Sequence, residues 1–179
     1  MNLPNKITIF RVCMIPVFLI FMLGEGIPYS NILAAIVFVI AALSDLLDGY
    51  IARKHHLVTN FGKFMDPLAD KLLVSSALIC FAALGTVPVW VVIIIIAREF
   101  IISGFRLIAS DNGVVIAASW WGKLKTNVQM VMSVMLIVNL NYKWMNLLEQ
   151  IAIYLAVALT VISLIDYMIK NKSVLKEQH

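Results

Sequence analysis

Four aspartates crowd one short stretch of this 179-residue chain. Asp45 and Asp48 are followed by Gly49, Ala52 and Arg53, and after eight residues come Gly62, Asp66 and Asp70. Their neighbours are largely apolar, and an ionisable side chain in such a segment costs a few kcal/mol unless it serves a polar cavity. On a helix, separations of three and four residues return to one face, so Asp45, Asp48, Gly49 and Ala52 share a stripe, and Asp66 and Asp70 repeat the pattern on the next helix. The short link between the stripes makes the helices antiparallel neighbours, so four carboxylates converge. No Lys or Arg cluster occupies the same stripes, and repulsion among the carboxylates calls for hard divalent cations. An all-oxygen set favours magnesium or manganese over zinc. Two ions sharing a carboxylate, with Asp66 as the candidate bridge, suit displacement at phosphorus.

Gly49 and Ala52 leave the stripe without bulk, so a flat or phosphorylated ligand can approach the backbone. Small residues also serve plain helix packing. Beside two carboxylates and Arg53, a donor suited to phosphate, ligand approach is the better reading.

The elements that must carry these groups are apolar helices. Hydrophobic residues make up 62% of the chain and charged residues 13%, against about 25% charged in soluble domains. Apolar runs near spanning length cover residues 3–23, 31–54, 62–84, 87–108, 117–140 and 146–170, which predicts an all-α, polytopic membrane protein of six transmembrane helices in a single domain over residues 1–179. With the N-terminus inside, thirteen of the fourteen Lys and Arg lie at or near the cytoplasmic side, Lys143 being the exception. That bias places both termini in the cytoplasm. A basic membrane face suits anionic headgroups and phosphorylated substrates, so the net charge of +4 calls for no nucleic acid. Cys13 and Cys80 sit in apolar spans without metal-ligand spacing and read as small hydrophobes. His55 and His56 read as a solvated basic loop. Trp120 and Trp121, and Tyr142 with Trp144, read as interfacial anchors, and Asp166 with Lys170 as a helix-end ion pair.

Residues 45–70 resemble the CDP-alcohol phosphotransferase signature, D-x2-D-G-x2-A-R-x8-G-x3-D-x3-D, with every fixed position filled. The resemblance implies six membrane helices, a homodimer and a polar site open to the cytoplasm, with the protein multi-pass in the cell membrane. It assigns Asp45, Asp48 and Asp66 to two Mg2+ or Mn2+ ions, and Asp70 to a metal and to the role of base. It places the CDP-lipid against Asp48, Gly49, Ala52, Arg53 and Thr59, and, through a less specific N-terminal pattern, near Asn5, Thr8 and Arg11. The reaction implied is attack of an alcohol oxygen on the lipid-side phosphorus of a CDP-activated lipid such as CDP-diacylglycerol, with CMP leaving.

The signature does not report the acceptor. Arg98 falls about 16 Å along the fourth span, near the middle of a hydrocarbon core roughly 30 Å thick, and should face a polar cavity. Adjacent helical residues diverge by about 100°, so Arg98 and Glu99 are expected to need separate partners. An interhelical salt bridge is the plain alternative for Arg98, and snorkelling to lipid phosphate for Arg106, Lys123 and Lys125. If these four cations serve one cavity, they suit an anionic acceptor, and glycerol 3-phosphate fits. Ala97-Arg98-Glu99-Phe100, Gly104-Phe105-Arg106 and Gly122-Lys123-Leu124-Lys125-Thr126 are similar to segments of bacterial family members that use it. Inositol phosphate, phosphatidylglycerol and serine remain as other acceptors. A divalent-cation transporter, the reading from outside enzymology, needs polar groups in both membrane halves, whereas the outward halves here are almost purely apolar.

Overall fold

A computed structural model describes residues 2–54, 60–111, 116, 119–140 and 142–172. These form six helices and no strand: α1 (Leu3–Leu23), α2 (Ser30–Lys54), α3 (Asn60–Ala83), α4 (Val89–Asp111), α5 (Trp120–Val138) and α6 (Lys143–Lys170). The apolar runs predicted all six, with boundaries shifted by up to three residues. The helices stop where the backbone chemistry says they should. At the end of α1 a Cβ on Gly24 would lie 2.3 Å from the Ile20 carbonyl oxygen, a contact only glycine avoids. Beyond α3, Gly85 takes φ 72° while the Thr86 N–H and hydroxyl both donate to the Phe81 carbonyl at 3.0 Å, satisfying an orphan acceptor of the last turn.

The chain divides into two compact units. One comprises Met1–Thr86 with Ser133–Leu140, the other Val87–Met132 with Asn141–His179. In the first, α1 packs on both α2 and α3. Fully buried Ala34, Ala41, Ala69 and Ala77 let the helix backbones come close, and Phe18 meets Phe38 with ring centroids 5.8 Å apart. In the second, α4 packs on α6 through Ile102, Phe105, Ala109 and Tyr167. Phe105 and Tyr167 meet edge to face.

Outside these cores large apolar side chains stay exposed, among them Ile93, Phe100 and Leu107 on α4 and Ile151, Leu155, Ile165 and Ile169 on α6. Among the described residues two segments, Asn5–Leu23 and Lys143–Lys170, are long and apolar enough to cross a membrane, and Ser30–Asp45 is a shorter apolar run. The sequence predicted six comparable spans. The difference lies in the charges of the other helices: Asp66, Asp70 and Lys71 on α3, Arg98, Glu99 and Arg106 on α4, Lys123 and Lys125 on α5.

Candidate active site

Asn5, Thr8 and Arg11 recur every three residues along α1, and all three are buried. That stripe touches both acidic helices. The Thr8 hydroxyl donates to Asp66 Oδ1 at 2.6 Å. The Arg11 guanidinium donates through Nη1 to Asp45 Oδ1 at 2.7 Å and through Nε to Ser44 Oγ at 3.2 Å, while the Ser44 hydroxyl donates to the Ala41 carbonyl at 2.7 Å. Ser44 therefore fixes one side of the guanidinium and Asp45 the other. One expectation changes here, and another gains a detail. The aspartates were expected to have no protein counter-charge, but Arg11 supplies one from a different helix, which a reading confined to the stripes of α2 and α3 could not see. Thr8 and Arg11, expected beside the nucleotide, bond the carboxylates of Asp66 and Asp45. Ser44 was not singled out from the sequence; a serine beside an acidic stripe carries no signal until the arginine that it holds is located.

Asp45, Asp66 and Asp70 are all partly exposed. Asp48, Gly49, Ala52 and Arg53 fall on α2, but their side chains lie outside the described residues, as do Thr59, His55 and His56 altogether. Among the described residues no three His, Cys, Asp or Glu side chains form a ready metal cage. The donors present nonetheless fit a hard divalent cation. The bonds that α1 donates to Asp45 and Asp66 engage Oδ1 of each, so the second oxygen of each carboxylate stands outside those bonds and can take a ligand.

The cations proposed for the acceptor do not form one group. Arg98 and Lys125 are buried and meet at Glu99: Arg98 Nη1 donates to Glu99 Oε1 at 3.1 Å, and Lys125 Nζ donates to the same oxygen. Arg98 and Glu99 thus pair directly, against the expectation of separate partners, because a long arginine side chain can curl around the helix across the angle between adjacent positions. The Lys125–Glu99 contact joins α5 to α4, whereas the ion pair of Arg98 stays within α4, so the interhelical bridge weighed for Arg98 is made by Lys125 instead. A Cβ on Gly122 would lie 3.4 Å from Arg98 Nη2, so α5 presents its smallest residue to the guanidinium. Arg106 lies instead over the Tyr167 ring, 5.9 Å from its centroid. Lys123 is exposed, since two residues from Lys125 is most of the way to the opposite helix face. Asp166 and Lys170 pair at 2.7 Å, as their spacing predicted.

This arrangement gives carboxylates anchored by α1 in one unit and paired cations in the other. Residues 1–162 match the profile of the CDP-alcohol phosphatidyltransferase family. The chain belongs to that family. Among its relatives in the family is the CDP-diacylglycerol–glycerol-3-phosphate 3-phosphatidyltransferase of Bacillus subtilis (strain 168), 46% identical with 98% of this chain and 97% of the relative covered. Proteins of the same name from Haemophilus influenzae (41% identical, 93% and 91% covered) and Rickettsia bellii (38% identical, 93% of each covered) are also similar to it. These alignments run far beyond residues 45–70, so the family likeness is carried by all six helices and not by the aspartate signature alone.

Proposed function

We propose that this protein is an integral membrane enzyme that transfers the phosphatidyl group of CDP-diacylglycerol to sn-glycerol 3-phosphate, giving phosphatidylglycerol phosphate and CMP. The observation that carries the reading is the filled aspartate signature on adjacent helices, with Asp45 and Asp66 each tied to α1. Near-full-length similarity to enzymes named for this reaction supports the choice of donor and acceptor. In this reading residues 1–179 work as one domain with six membrane helices, both termini and the active site at the cytoplasmic side of the cell membrane, and the protein acts as a homodimer. The exposed apolar side chains of α4 and α6 favour lipid over water as their surroundings.

In this reading Asp45, Asp48, Asp66 and Asp70 would hold two Mg2+ or Mn2+ ions, which when bound would supply charge stabilisation for displacement at phosphorus. Thr8 and Arg11 hold Asp66 and Asp45 in place before any ligand arrives. Gly49 and Ala52 admit the nucleotide close to α2, and Asp48, Arg53, Thr59 and Asn5 bind the CDP portion. Asp70 accepts the proton of the acceptor hydroxyl as its oxygen bonds to the lipid-side phosphorus. The bond from that phosphorus to the bridging oxygen breaks, and CMP leaves with the electron pair. Arg98 and Lys125, joined at Glu99, bind the phosphate of the acceptor; Arg106 draws it in from the end of α4, and exposed Lys123 adds positive potential at the end of α5 without contacting it.

Incubating purified protein with CDP-diacylglycerol and a panel of glycerol 3-phosphate, glycerol, serine and inositol 1-phosphate, followed by identification of the lipid formed, tests the assignment. Phosphatidylglycerol phosphate is the expected product. A serine or inositol lipid as the main product would leave the aspartate chemistry standing and overturn the acceptor.

A further inference from the structure

Arg98 and Lys125 are each more than nine-tenths buried, and their cationic groups reach the same oxygen of Glu99. Two positive groups so close repel one another, and in a low-dielectric setting the cheapest relief is for the long side chains to part. The Glu99 carboxylate opposes that separation by bonding both at once. It does so through Oε1, and the guanidinium keeps other donors: Arg98 Nε is buried with no hydrogen-bond partner among the described residues. Nη2 lies beside Gly122, where the lack of a side chain leaves α5 close to the guanidinium. A buried N–H without an acceptor is costly, and a phosphate oxygen would satisfy it.

We infer that Glu99 is a positioning residue for the acceptor: its carboxylate clamps Arg98 of α4 and Lys125 of α5 into a preformed pair that receives the acceptor's phosphate. Glu99 touches neither the reacting phosphorus nor the attacking hydroxyl; it acts through the two cations. The inference rests on the acceptor reading above. It adds that the binding energy of those cations depends on an acidic residue which by charge alone should repel a phosphate.

The test compares Glu99→Gln and Glu99→Asp with the native enzyme, measuring kcat and KM separately for glycerol 3-phosphate and for CDP-diacylglycerol. Glu99→Gln keeps the size and removes the charge. It should raise KM for glycerol 3-phosphate about tenfold, the scale of one charge-assisted contact, with KM for CDP-diacylglycerol unchanged. Glu99→Asp, which keeps the charge on a shorter stem, should recover part of the loss. In a Lys125→Met background Glu99→Gln should add little further, because one of the groups it clamps is gone; if Glu99→Gln does not fold, Glu99→Asp in the native and Lys125→Met backgrounds carries the same comparison. An unchanged or lowered acceptor KM, or equal rises for both substrates, overturns the inference while the activity stands. A native enzyme indifferent to the acceptor's phosphate overturns the acceptor reading and this inference together.

Discussion

The α1–α3 unit and the α4–α6 unit handle buried charge in opposite ways. In the first, a guanidinium and a hydroxyl from α1 hold two carboxylates, and in the second a carboxylate on α4 holds two cations. Lone charges in apolar surroundings are prohibitive and fully matched ones have nothing left for a ligand. Each cluster sits between those limits, partly neutralised by the protein and leaving an excess of one sign. Negative excess suits a divalent cation, and positive excess suits a phosphate.

The largest effects should come from the acidic side. Asp45→Asn, Asp48→Asn and Asp66→Asn should each lower kcat by about a thousandfold or more, since losing a metal ligand removes several kcal/mol of charge stabilisation; CMP release from CDP-diacylglycerol reads this directly. Asp70→Asn should cut turnover by roughly 10²–10⁴-fold, the usual worth of a general base, while CDP-diacylglycerol still binds. Wild-type turnover in that variant would remove Asp70 from the role.

On the basic side the loss should fall on the acceptor. Arg98→Ala or Arg106→Ala should weaken use of glycerol 3-phosphate by about ten- to a hundredfold, matching one or two charge-assisted contacts of roughly 1.5–3 kcal/mol. Arg106 is the sharper case, because its guanidinium lies over Tyr167 and apart from the Glu99 contacts. If only Arg98→Ala affects the acceptor, Arg106 serves packing and the phosphate site is confined to the Glu99 pair. The smallest effect should be that of Thr8→Val, which removes one hydrogen bond between helices, worth on the order of 0.6–2 kcal/mol in membrane proteins. Its signature is a modest loss of thermal stability in detergent, smaller in magnesium than in chelator if the ion also holds Asp66.

All six helices were legible in the sequence because apolar runs and their interruptions are local properties. So were the four aspartates, whose spacing has meaning on a single helix. The pairing of Asp166 with Lys170 was legible too, being four residues apart on one helix; what the sequence hid was the partners of the charges at the two candidate clusters. Arg11 lies thirty-four positions from Asp45 and Lys125 twenty-six from Glu99, so both pairs exist only through packing. The pairing of Arg98 with Glu99 was hidden for another reason: the helical angle fixes where Cβ points, while a long arginine ends several ångströms from its Cβ. Lys123 and Lys125, equal in the sequence, part company because two residues on a helix face nearly opposite ways. Burial separates them, with Lys125 inside and Lys123 exposed.

The most direct test of the account is the rate of CMP release from CDP-diacylglycerol by the native enzyme, measured with glycerol 3-phosphate and with plain glycerol, each in magnesium and in excess chelator. Turnover should be high only with glycerol 3-phosphate in magnesium, fall to background in chelator and return when magnesium or manganese is restored. Full activity in chelator would contradict the role given to the aspartates, and equal rates with glycerol would contradict the role given to Arg98 and Lys125.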